Sequence, residues 1–98
     1  MNEISEAIFR EAIRATHGAE SQLVHRERVV EVFDGEIVWE GEVLVFHLRD
    51  HPEASECYAW EVDGQVTAVL RVPPVRTALD AVRASILAAT DTPREKPL

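Results

Sequence analysis

The sequence predicts one α+β domain: a helix, a four-stranded antiparallel meander sheet and a second helix, with both helices packed on one face of the sheet. Three observations carry that expectation. Apolar residues recur at helical spacing in 3–17 and again in 77–89, strand-forming residues crowd 23–72, and two Asp-Gly pairs divide that run at hairpin spacing. Ninety-eight residues, 46% of them hydrophobic, suffice for one core. The domain is expected to span 1–90. Residues 91–98 are expected to be a disordered tail, because DTPREKPL holds two prolines and little to bury.

The first helix, over 3–17, sets Ile4, Ala7, Ile8, Ala12 and Ala15 along one stripe and Glu3, Glu6, Arg10 and Arg14 opposite. Asn2 caps its start and Gly18 ends it. After a polar connection through 19–22, strands are expected near 26–33, 36–48, 56–62 and 65–72. Asp34-Gly35 and Asp63-Gly64 suit two-residue type I′ turns, which need positive φ at both central positions.

The second turn fixes a register. Val62 faces Gln65, Trp60 faces Thr67 and Tyr58 faces Val69 on one side of the sheet, with Cys57, Ala59, Val66, Ala68, Leu70 and Val72 on the other. Leu44, Phe46 and Leu48 join the second, small apolar set. Val43, Val45, His47 and Arg49 join Tyr58, Trp60, Val69 and Arg71. Trp39 is open between two placements: strict alternation groups it with Val43 and Val45, whereas an extra residue at Gly41 moves it to the side of Leu44. Pro73-Pro74 stops the last strand. Thr77 and Asp80 then form a capping box with the shorter acid, opening a helix to about Ala89 with Leu79, Val82 and Ile86 on its apolar stripe.

The small, uniform face suits close packing under helices, which leaves the aromatic face open. Val43, Val45, His47, Arg49, Tyr58, Trp60, Val69 and Arg71 are therefore the expected association surface. A homodimer acting as a non-enzymatic binding or assembly module follows, with an unknown protein partner as a variant of the same reading. The alternative is a pocket walled by Tyr58 and Trp60 in which His47, Arg49 and Arg71 bind an anionic small molecule.

Eighteen acidic against ten basic residues give a formal charge of -8, which repels nucleic-acid phosphates and an anionic membrane surface. The start MNEISEAIFREAIRA has no uninterrupted apolar segment and nothing approaches the ~20 apolar residues of a bilayer span, so a cytoplasmic protein is expected. A single cysteine excludes an internal disulfide. His47, His51, Glu53 and Cys57 lie within eleven residues, yet they fall on two strands and a loop and do not complete a tetrahedral set. No metal, cofactor or catalytic residue is assigned, and an enzyme using His47 or Cys57 is the weakest reading. Phosphate-binding glycine loops and zinc-protease motifs are absent from the sequence. The helix, strands, helix order resembles the double-stranded RNA-binding domain in coarse outline. The basic residues that family places at its last helix are reduced to Arg76 and Arg83 among acids, so the resemblance implies no RNA binding.

Overall fold

The computed structural model describes residues 6–91, with side chains through residue 87. Helix α1 (Glu6–His17) leads into strands β1 (Glu20–Phe33), β2 (Glu36–Arg49), β3 (Glu56–Val62) and β4 (Gln65–Leu70), and helix α2 (Ala78–Asp91) follows. The strands form one antiparallel sheet in the order β1-β2-β3-β4, so the α+β class, the element order and the meander are as predicted. The expected cap at Asn2 and the tail beyond Asp91 lie outside the described residues, while Asp91 itself closes α2.

Both Asp-Gly pairs turn as their chemistry requires. Asp34 and Gly35 have φ of 56° and 81°, and Asp63 and Gly64 have 52° and 84°. The second turn sets the expected register of Val62 with Gln65, Trp60 with Thr67 and Tyr58 with Val69. At the start of α2 the Thr77 hydroxyl accepts from the Asp80 amide at 3.1 Å, and the Asp80 carboxylate accepts from the Arg76 amide at 3.0 Å. That is a capping box reaching one residue further back than usual.

Two strand boundaries differ from expectation: β1 starts before residue 26, and β4 ends at Leu70 and not at 72. β1 begins at Glu20, because the far end of β2 offers pairing to the polar stretch: Glu20 lies opposite Arg49, Ser21 opposite Leu48 and Gln22 opposite His47. Polar side chains do not stop an edge strand that needs a partner on one side only. The pairing irregularity near the first turn falls between Glu31 and Val32 and leaves Val38 unpaired; Gly41 pairs regularly with Val29. Trp39 therefore shares a face with Val43 and Val45. The glycine has a different purpose, since a Cβ there would lie 2.9 Å from Cη2 and Cζ2 of Trp39. Its bare backbone is the floor on which the indole rests.

The helices lie on opposite faces of the sheet, which corrects the expectation that both share one. On the first face Phe9 and Ile13 of α1 pack with Leu44, Phe46, Leu48, Cys57 and Ala59. On the second face Ala78, Ala81 and Val82 of α2 pack with Val43, Val45, Tyr58 and Trp60. Tyr58 and Trp60 lie beneath the alanines of α2, while Phe9 of α1 meets Phe46 with ring centroids 6.4 Å apart beside the small Cys57 and Ala59.

Candidate functional site

The eight residues expected to form an open association surface divide into a buried and a solvated group. Val43, Val45, Tyr58 and Trp60 are buried beneath α2, with Trp60 3% exposed, and Val69 is half-buried at the border of the same core. They are core residues of the chain and do not present a face to a partner. The Tyr58 ring is inside, and its hydroxyl is satisfied by donating to the Arg76 carbonyl at 3.1 Å. Burial raises the phenol's pKa, opposed by the nearby Arg71 guanidinium. The expected Tyr/Trp-walled pocket is thereby filled by the protein's own helix.

His47, Arg49 and Arg71 are exposed at the other end of this face. The sheet brings His47 opposite both Gln22 and Glu56. Arg71 is committed to Glu56, with Nη1 3.0 Å from the carboxylate. His51 is a loop residue whose Nδ1 accepts from the amides of Glu53 and Ala54 at 3.0 and 3.3 Å, an arrangement that organises the turn before β3. Cys57 is fully buried, and burial pushes its thiol up to about 12 from an ordinary 9.0, so it is protonated and unreactive at neutral pH. Among the described residues no group of three His, Cys, Asp or Glu side chains is placed to hold a metal. No helix among them is long and apolar enough to cross a membrane.

The most apolar exposed surface lies elsewhere. β2 pairs with β3 only through Leu44 to His47, so the part of the β1-β2 hairpin nearer its turn extends past that pairing. There Phe33 is 71% exposed, Ile37 59% and Val32 51%, and Leu87 of α2 is 61% exposed nearby. Val32, Phe33 and Val38 with Ile86 and Leu87 line an apolar groove of about 490 Å³. Its polar wall is a forked ion pair: Arg83 Nε and Nη2 donate to the two oxygens of the buried Glu31 carboxylate at 3.0 and 3.1 Å. This pair raises the Arg83 pKa through hydrogen bonding and charge attraction and ties α2 to β1.

Neither this groove nor the Glu31 and Arg83 link follows from strand alternation or from the apolar stripe of the second helix. The available signal is the composition of the turn: VVEVF before Asp34 and IVW after Glu36 put apolar residues on both faces of one hairpin tip. Comparison with protein-family models, curated proteins and solved structures gives no match.

Proposed function

We propose that the chain is a non-enzymatic assembly module that forms a homodimer through the apolar tip of its β1-β2 hairpin and the adjoining end of α2. The observation that carries this reading is the joint exposure of Phe33, Ile37, Val32 and Leu87. With Val30 and Val38 they leave on the order of 500 Å² of apolar surface in water, spread over both faces of the tip and comparable in sum with the ~300–600 Å² of the largest patch on a monomer. A standard interface buries ~800 Å² per partner, so a second copy laid against this patch needs only the surrounding backbone and rim to complete it. A two-fold arrangement suits a surface that must complement itself. The formal charge of -8 opposes association at long range, which favours a contact whose centre is apolar and whose rim charge, Glu31 with Arg83, is already paired. A cytoplasmic setting fits the acidic charge and the lone buried cysteine.

Sedimentation across a range of concentrations tests the proposal beside Phe33→Asp and Leu87→Asp. The wild type is expected to approach twice the chain mass at micromolar concentration. Either variant should weaken association at least tenfold while keeping the far-ultraviolet spectrum of the wild type. A wild type that stays monomeric throughout, or a dimer indifferent to both charges, would overturn it.

A further inference from the structure

We propose that the outer edge of β4 is a second contact between copies of this chain, in which β4 pairs antiparallel with β4 of a second copy about a two-fold axis at Thr67. The two sheets then join edge to edge. This contact is distinct from the one at the hairpin tip and does not depend on it.

The Asp63-Gly64 turn fixes which backbone groups the edge presents. Residues flanking a two-residue turn exchange both hydrogen bonds, so Gln65, Thr67 and Val69 bond inward to Val62, Trp60 and Tyr58. Val66, Ala68 and Leu70 therefore turn their N–H and C=O groups outward. Three hydrogen bonds agree with this phase. The Arg71 amide donates inward to the Glu56 carbonyl at 2.9 Å, the outward Ala68 carbonyl accepts from His17 Nε2 at 2.9 Å, and the outward Leu70 carbonyl accepts from the Val72 amide at 3.0 Å. Both backbone groups of Val66 and the N–H of Ala68 are left without a backbone partner among the described residues.

The two margins of the sheet treat an incoming strand differently. β1 carries Arg26, Glu27 and Arg28, whereas β4, QVTAVL, has no charge, no proline and no break in its register. Charge, proline and bulges are the devices by which natural edges turn a second strand away. Val66 to Leu70 are half-buried, so pairing still has apolar area to cover.

The Thr67 axis is what selects a second copy as the occupant. It sets Val66 opposite Ala68 of the copy and Ala68 opposite its Val66, and each pair exchanges two hydrogen bonds. These use the unpartnered groups and the Ala68 carbonyl, which has a second lone pair beside the one given to His17. Thr67 faces its own counterpart, a favourable cross-strand pair. The same register brings Asp63 opposite Arg71 of the copy at both ends, so no like charges meet. A six-residue strand covers well under the ~1,600 Å² of a standard interface, so this contact is the weaker one and is expected at about 100 µM and above.

Disulfide trapping tests the register in the Phe33→Asp background, which removes the tip contact. Cysteines at facing positions that are not hydrogen-bonded lie close enough to join. Phe33→Asp/Thr67→Cys with oxidised glutathione should give a covalent dimer at least tenfold faster than Phe33→Asp/Gln65→Cys, whose cysteine faces Val69 of the copy. Phe33→Asp alone should give none, since Cys57 is buried. Sedimentation of Phe33→Asp at several hundred micromolar should show a dimer. Adding Val66→Pro, which removes an outward N–H and no inner bond, should weaken that dimer at least tenfold. Thr67→Lys, which sets like charges face to face, should do the same and serves where the proline variant does not fold. Equal trapping at 65 and 67, a monomer at every concentration, or a dimer indifferent to Thr67→Lys would each overturn the proposal. Every arm carries Phe33→Asp, so failure here leaves the tip contact standing, and failure of the tip contact leaves this one.

Discussion

The Cys57 thiol is fully buried between Ala59, Leu70 and the α1 side chains, and its folded-state pKa of about 12 against an ordinary 9.0 links it to stability. An unfolded chain releases this proton first. The contribution is therefore complete below pH 9 and is lost as pH rises toward 12, the loss reaching about 1 kcal/mol at pH 10. Denaturant unfolding of wild type and Cys57→Ala at pH 7.5 and pH 10 isolates it: the stability difference between the two proteins should shrink or reverse by about that amount. A constant difference would mean that the thiol is not desolvated. That Cys57 lies on a helix-covered face was legible from alternation, and that His51 is a loop residue from the proline that follows it. The burial of Ser21 was not, because it depends on where α1 crosses the sheet, and a serine among polar neighbours in the sequence carries no sign of that.

Among the elements, the β1-β2 hairpin is governed by contacts that a strand pattern only partly encodes. Trp39 lies over Gly41 and meets Trp60 edge-on, with ring centroids 6.1 Å apart. Gly41→Ala should lift the indole from the strand, cost about 1–2 kcal/mol, and red-shift tryptophan emission as Trp39 enters water. The paired variant Gly41→Ala/Trp39→Phe should show a smaller penalty than the sum of the two single changes. Turns, register and the capping box were readable because each depends on two to four adjacent residues. The irregularity at Val38 was not, since Glu36 to Trp39 alternates equally well with or without it. The exposed edge of β1 carries its own protection. Any two-fold pairing centred on Arg26, Glu27 or Arg28 sets like charges opposite one another, so Arg26 and Arg28, each bridged to a glutamate of β2, turn away a second β1. Within this hairpin the apolar tip is thereby left as the proposed place of association.

For the whole molecule, sequence alternation could not decide the side on which each helix lies. It separates the two sheet faces without naming which helix covers which, and the aromatic set looked like a surface because no bulky helix was left to cover it. The deciding information is the small size of Ala78 and Ala81, which lets α2 approach Tyr58 and Trp60 closely. The formal charge of -8 and the apolar hairpin tip are likewise properties of the assembled chain, and the sedimentation test of Phe33→Asp addresses them at that scale.

Alternating residues of β2 and β3 belong to different cores: Leu44 and Ala59 on the α1 side, Val45 and Tyr58 on the α2 side. These strands are a party wall, and neither room can be emptied while the other stands. Ile13→Ala, which hollows the α1 side at a cost of about 2–4 kcal/mol, should accelerate hydrogen exchange at Tyr58 and Trp60 as much as at Leu44 and Ala59. Retained protection on the α2 side alone would show two units melting separately. With a shared wall the chain comes apart all at once or not at all, so a quality-control protease meets either an intact molecule or an open one, with no half-folded form to trim.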